Sequence, residues 1–303
     1  MKNNKISIMQ LAKICNVSQG TVDRAFHNRD GISPKTKEYI LSVAREYGYR
    51  PNKKWNAEKS GLIGIIVFEL NNEYCAELVM TLEREFRSRG YYCATMFSGC
   101  DTAVEKECIE VLYNAGVDGI VLSPINGGKE FSEYLKSWKI PMVTVGNKID
   151  GIKYIGVDNF SAMKELVYLV AGKGYKKIIY YALKTENGDN RYAPIQRMGG
   201  FLEATKDFGD IEFKVVYSKE DCLKSADANS AVIAYNDMQA VEVINAGFNG
   251  LVTGFDGTPG FYKYKIPIIT VDHDKTTRAK KVADYIINGG SEEDEYVNYS
   301  IES

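Results

Sequence analysis

Three polar side chains stand where an α/β chain presents ligands. Asp256 follows the apolar run 251–255 at a strand's C-terminal end and can accept from two hydroxyls. Asn236 follows the run 231–234 in the same way and offers both a donor and an acceptor. Arg197 can donate in a fork to hydroxyls or to a carboxylate. Such a set suits a sugar or polyol better than a purine. The competing reading for Asp256 is an internal pair with a nearby cation. Asp237 and Asp158 read as helix N-caps or crossover residues.

A second polar set lies near the N-terminus. Arg24 can fork onto guanine O6 and N7, and Gln19 can pair with adenine. Ser7, Ser18, Thr21 and Asn28 offer hydroxyls, an amide and helix N-termini, the groups that hold phosphates. For Ser7 and Ser18, helix capping is the parallel reading. Asp23 can accept from cytosine N4 or brace Arg24.

Catalysis and metal binding find little support. The chain has two histidines, His27 and His273, and neither has a metal-ligand partner four residues on. Both read as structural residues. No Gly-x-Ser-x-Gly elbow or phosphate-binding loop occurs, and Gly61-x-x-Gly64 is too short for a dinucleotide fingerprint. The six cysteines show no Cys-x-x-Cys spacing and mostly sit in apolar stretches as small hydrophobes.

Elements must hold these groups in place. Ser7 and Gln10 spell a capping box, followed by an apolar stripe at Ile8, Leu11, Ala12 and Cys15. Ser18 opens a second helix with Val22, Ala25 and Phe26 inward. Ser33-Pro34 opens a third, with Ile40, Val43, Ala44 and Tyr47 inward and Gly48 as its stop. Three short helices with a tight first turn describe a helix-turn-helix. Charge agrees: residues 1–60 hold 12 Lys+Arg against 5 Asp+Glu, while the other 243 hold 26 against 35. Only the small basic domain is suited to a polyanion.

From Leu62 onward, strand and helix alternate. Strands are expected at 62–68, 91–97, 119–123, 142–146, 154–157, 177–181, 213–217, 231–234, 251–255, 268–271 and 296–301. Helices are expected at 77–90, 104–115, 131–139, 161–173, 196–208, 238–245 and 276–288. This predicts parallel βαβ units, and so many strands divide best into two doubly wound lobes with a cleft between them. The fold class is therefore a small all-α helix-turn-helix domain followed by a two-lobed α/β core.

The order Leu11-Ala12-x-x-Cys15-x-Val17-Ser18-x-x-Thr21-Val22-x-Arg24, then Ile32-Ser33-x-x-Thr36, then Tyr47-Gly48-Tyr49-x-Pro51-Asn52, resembles the headpiece of the LacI/GalR repressor family. Ile63-Gly64-Ile65-Ile66-Val67, Val117-Asp118-Gly119-Ile120-Val121, Lys173-Gly174-Tyr175 and Gly254-Phe255-Asp256 are similar to landmarks of its periplasmic-binding-protein-like core. The resemblance implies a helix-turn-helix domain over 1–50, a linker over 51–61 and a core over 62–303. Its N-lobe would take about 62–155 and 270–303, and its C-lobe about 156–269. Three crossings would fall near 155, near 260–270 and near the C-terminus. The resemblance further implies that Gln19, Gly20 and Arg24 face bases. Effector contacts would come from Tyr74, Ser161, Arg197, Asn236 and Asp256. Partners would be double-stranded operator DNA, a small effector and a second copy in a homodimer, with no cofactor or metal. In the linker, Glu58 stands where the family places a leucine that wedges into the minor groove. Trp55 is then a substitute wedge or packs on protein.

At 45% hydrophobic the chain supports a sizeable core, and no run reaches the roughly 18–20 apolar residues that span a membrane. Met-Lys-Asn-Asn-Lys leads into a capped helix, so the expected location is cytoplasmic. The expected function is a sequence-specific repressor controlled by a sugar or polyol. The alternatives are a cytoplasmic solute-binding or sensing protein with atypical DNA binding, and an α/β enzyme using Asp256 or His273.

Overall fold

The computed structural model describes residues 6–26, 29–49, 59–184, 191–258 and 268–302. His27, Asn28 and the linker with Trp55 and Glu58 lie outside them.

The headpiece consists of α1 (Ile8–Ile14), α2 (Gln19–Phe26) and α3 (Pro34–Glu46). Its capping box closes reciprocally. The Ser7 N–H donates to Gln10 Oε1 at 2.7 Å, and the Gln10 N–H to Ser7 Oγ at 3.2 Å. Ser18 caps α2 by accepting from the Thr21 N–H at 3.0 Å. Ser33 caps α3, with Pro34 in the first turn. Leu11, Val22 and Ile40 are fully buried where the three helices meet. Each such side chain contributes about 1.5–3 kcal/mol by leaving water. The headpiece rests on the first lobe: the Arg45 guanidinium lies 4.8 Å from the Trp138 ring centroid, and Lys139 Nζ donates to the Glu46 carbonyl.

The first lobe comprises β1 (Leu62–Val67), α4 (Glu73–Ser88), β2 (Tyr92–Phe97), α5 (Thr102–Ala115), β3 (Gly119–Leu122), α6 (Gly128–Ser137), β4 (Met142–Thr144) and β5 (Lys153–Val157). The second follows with α7 (Asn159–Ala171), β6 (Lys177–Tyr181), α8 (Tyr192–Thr205), β7 (Glu212–Val216) and α9 (Lys219–Ser225). It continues with β8 (Ser230–Ala234), α10 (Asp237–Asn245), β9 (Leu251–Asp256) and β10 (Ile269–His273). Then come α11 (Lys275–Asn288), β11 (Glu295–Val297) and β12 (Tyr299–Glu302).

Each lobe is a six-stranded sheet. The orders are β2-β1-β3-β4-β5-β11 and β7-β6-β8-β9-β10-β12. All pairs are parallel except β10 with β12. The central strands are continuous apolar runs because helices cover both faces. Gly200 lets α8 pack on α7: a Cβ there would stand 2.2 Å from the Phe160 carbonyl oxygen.

Several details depart from the sequence expectation. The stretch 296–301 is two strands: β11 pairs with β5 in the first sheet, and β12 pairs with β10 in the second. Asn298 between them is a lobe crossing. Strand β10 belongs to the second lobe, so the second crossing comes at 273–274, after that strand, and not at 260–270. The first lobe thus takes 274–297 from the C-terminal part, rather than 270–303. The first crossing follows Val157. The helix expected from 77 starts at Glu73, because Asn72 caps it, and α9 was not foreseen.

Candidate functional site

The strand ends of both lobes, the first turns of α4, α8 and α10, and the start of α11 surround one cavity. It measures about 560 Å³ with its open mouth included. The first lobe contributes Phe68, Asn72, Tyr74, Ser123, Asn147 and Tyr154. The second contributes Asn159, Ala193, Arg197, Tyr235, Asn236, Asp256 and His273, and α11 contributes Arg278. A second opening continues past Tyr74 toward Asp237 and Met238.

Arg197 is the most connected residue here. Its Nε donates to Asn159 Oδ1 at 2.9 Å, its Nη1 to the Tyr235 carbonyl at 2.7 Å and its Nη2 to Asp256 Oδ1 at 2.8 Å. The guanidinium lies 3.6 Å from the Phe255 ring centroid. Such a fork holds Asp256 in place and leaves Asp256 Oδ2 without a hydrogen bond from the described residues. Burial pushes the Asp256 carboxyl up, and Arg197 opposes that shift. Asp256 also holds φ at 109°, a conformation that favours glycine. The internal pair and an outward-facing second oxygen thus coexist.

The N-cap of α10 is Asn236 and not Asp237, as the sequence reading had it, and Asn236 keeps its place at the cavity as well. It accepts from the Gln239 N–H at 2.9 Å and lines both openings. Asp237 is buried one residue further. It accepts from the Thr258 N–H at 2.7 Å and from Thr270 Oγ1 at 2.6 Å. Gly254 makes room for it, since a Cβ there would stand 2.1 Å from Asp237 Oδ1. Burial, aided by the Asp256 charge, raises the Asp237 carboxyl to about 8.

Tyr74, Arg197, Asn236 and Asp256 come together at the cavity. Ser161 does not line it: its N–H and hydroxyl both go to Asp158, the N-cap of α7, at 3.0 and 2.7 Å. Two further residues were missed. His273 reads as structural in the sequence, yet it ends β10 as Asp256 ends β9, so the same strand-end rule applies. Its Nδ1 lies 3.4 Å from Arg278 Nη1, while Nε2 is buried without a hydrogen bond, 3.8 Å from Asp256 Oδ1. Burial and the neighbouring Arg278 hold the imidazole well below its ordinary value, hence neutral. Arg278 sits on the buried stripe of α11 with Val282 and Ile286. An arginine at the end of an apolar i, i+4, i+8 stripe was the available signal.

Polar contacts also join the lobes around the cavity. Asn147 Oδ1 accepts from the Ala193 N–H at 3.0 Å, serving an α8 turn that lacks a side-chain cap of its own. Lys275 pairs with Glu77 at 2.9 Å and Asp272 at 3.1 Å, and donates to the Gly257 carbonyl.

On the headpiece, Gln19, Gly20 and Arg24 share the exposed side of α2, opposite buried Val22 and Ala25. The Ser18 and Thr21 hydroxyls are 2.9 Å apart at its start. Ser7 is engaged in its capping box. Asp23 pairs with Arg29 at 2.9 Å. No cluster of three or more potential metal ligands occurs among the described residues. No described helix is long and apolar enough to cross a membrane.

The chain is similar to known proteins over both parts. Residues 60–243 match the periplasmic binding proteins and sugar binding domain of the LacI family, and residues 7–52 match the bacterial regulatory proteins of the lacI family. The NTD biosynthesis operon regulator NtdR of Bacillus subtilis (strain 168) is 28% identical over 297 residues, covering 87% of this chain and 88% of NtdR. Two solved structures share the fold. The transcriptional regulator CelR–cellobiose complex has a TM-score of 0.65 and 19% identity, covering 98% of each chain. The lac repressor dimer bound to operator and the anti-inducer ONPF has a TM-score of 0.68 and 16% identity, covering 99% of this chain and 98% of that one.

Proposed function

The chain belongs to the LacI family of bacterial regulatory proteins, and we propose that it is a repressor whose operator affinity is set by a sugar or polyol in the interlobe cavity. One observation carries this reading. A capped helix-turn-helix with Gln19 and Arg24 exposed shares a chain with a cleft whose polar lining comes from both lobes.

A ligand touching Tyr74 on one side and Arg197, Asn236 and Asp256 on the other favours one lobe arrangement over another. Two headpieces of a homodimer, each tied to a first lobe, then change their spacing on a palindromic site of half-sites about one helical turn apart. The coupling is reciprocal, so operator changes effector affinity by the same factor. Gln19, Gly20 and Arg24 read bases. Ser7, Ser18, Thr21 and Asn28 hold phosphates.

The test has two stages. Thermal melting against sugars and polyols is expected to yield a hit that raises the midpoint by several degrees, since a ligand of the folded state stabilises it by mass action. Operator fragments selected from a random-sequence pool are then titrated with and without that compound. Binding that shows no sequence preference, or that the compound leaves unchanged, defeats the proposal. Turnover of the hit would favour the enzyme alternative.

A further inference from the structure

Charges inside the cavity do not balance. Two guanidinium groups line it against one carboxylate, and that carboxylate, Asp256, is bonded to Arg197. Arg278 is 3% exposed, and its partners are neutral: Nη1 donates to the Tyr74 hydroxyl at 3.3 Å and lies 3.4 Å from His273 Nδ1. No carboxylate pairs with it among the described residues. Glu77 and Asp272 are paired with Lys275. A buried cation without a counter-ion is costly, and the cost falls when a ligand supplies the charge.

A second observation points to the same spot. An arginine N–H can only donate, so His273 Nδ1 accepts and the ring proton sits on Nε2. That N–H is buried, belongs to a residue lining the cavity, and makes no hydrogen bond among the described residues, with Asp256 Oδ1 standing 3.8 Å away. Two helix N-termini add to the field, because the caps of α4 and α10, Asn72 and Asn236, both face the cavity. Donors therefore gather near Arg278 and His273, while Asp256 Oδ2, which accepts no hydrogen bond from the described residues, remains for hydroxyls.

We propose that the effector is a polyhydroxylated anion, a sugar acid or a sugar phosphate, with its anionic oxygens on Arg278 and His273 Nε2 and its hydroxyls on Asp256. The inference rests on the cavity being the effector site. The anion is what distinguishes it from a neutral sugar or polyol.

The experiment is calorimetric titration of the full-length protein with matched compounds: glucose and sorbitol, gluconate and glucuronate, glucose 6-phosphate, and inorganic phosphate as the bare anion. At least one anion is expected to bind about tenfold more tightly than the neutral compound of the same carbon number, because charge-assisted bonds are the stronger ones. Preference for gluconate or glucuronate names a sugar acid, and preference for the phosphate ester names a sugar phosphate. In Arg278→Gln the ratio collapses to about threefold or less, whereas Arg278→Lys keeps most of it. Ligand-free Arg278→Gln is expected to melt no lower than the unmodified protein, since it removes an unpaired buried charge. A marked fall in that midpoint would assign Arg278 a structural role and overturn the inference. A neutral compound that binds as tightly as its anion, or an anion preference that survives Arg278→Gln, also overturns it and leaves the cavity as the effector site. Failure of every compound, inorganic phosphate included, overturns both readings.

Discussion

Lys275 Nζ and Glu77 Oε2 are 2.9 Å apart, and the same ammonium group reaches Asp272 and the Gly257 carbonyl. Glu77 lies on α4 of the first lobe, whereas Asp272 and Gly257 close strands of the second. One mostly buried cation thus fastens both lobes beside the cavity mouth. Lys275→Met is expected to cost about 1–3 kcal/mol, less than a fully buried pair because Glu77 keeps some solvent. It also widens the lobe distribution, which small-angle scattering of the ligand-free protein reads directly. Unchanged stability and scattering would mean that the lobes are held by other contacts.

Asp237 makes stability depend on pH in a definite direction. Its carboxyl is raised from an ordinary 3.8 to about 8, chiefly by burial. Between these values the folded state binds more protons than the unfolded one, so its contribution is fully present at the acid end and is lost as pH rises toward 8. The limiting slope is about 1.4 kcal/mol per pH unit. Asp237→Asn keeps an acceptor for the Thr258 N–H and carries no charge. Urea melts at about pH 5 and about pH 8 are expected to show the variant gaining on the unmodified protein at the higher pH. A constant gap would mean that Asp237 is ionised in the fold.

Arg197 ties three parts of the second lobe together. Arg197→Ala leaves Asp256 buried without its cation and removes donors to Asn159 and the Tyr235 carbonyl. A loss of about 3–5 kcal/mol is expected from breaking a buried pair. Arg197→Lys supplies a single point charge in place of the fork, so it recovers only part of that loss. Equal stability of the Lys variant and the unmodified protein would show that the planar geometry is unimportant.

How far the site could be read from the chain depended on how local each cause was. The capping box at Ser7 and Gln10 spans three residues, and it appears in the structure atom for atom. Asp256 was visible because a strand end is a local feature, and Arg197 because of its place in the family resemblance. The burial of Asp237 in place of capping was not visible, since Asp237 is held by Thr258 and Thr270, 21 and 33 positions away. The split of 296–301 was equally hidden: pairing with Ile155 on one side and Val271 on the other decides it, and both are distant in sequence. Ser161 misled because its hydroxyl had a local partner, Asp158, that an assignment by family position ignores. Arg278 was concealed by its company, an apolar stripe that made the helix look purely structural.

Arg24 provides the sharpest test on the DNA side. It shares the exposed face of α2 with Gln19 and Gly20, and the nearest approach to Gly20 is open enough that its guanidinium lies alongside, 4.0 Å from where a Cβ would be. Asp23 is paired with Arg29, so Arg24 does not depend on that pair for its position. A guanine contact by Arg24 is worth about 1–3 kcal/mol of discrimination, and Arg24→Ala is expected to lose that at one position of each half-site. Affinity for unrelated DNA is expected to fall much less, because the phosphate contacts proposed for Ser18 and Thr21 would remain. A Gly20→Ala change introduces a methyl group 3.7 Å from Ser18 Oγ, an ordinary contact, so the helix itself should stand. Any loss of operator affinity in Gly20→Ala then reports close approach to the groove. Anisotropy titrations on a set of single-base operator variants separate the two effects: a uniform drop across all variants with Arg24→Ala would place it on phosphate and not on a base.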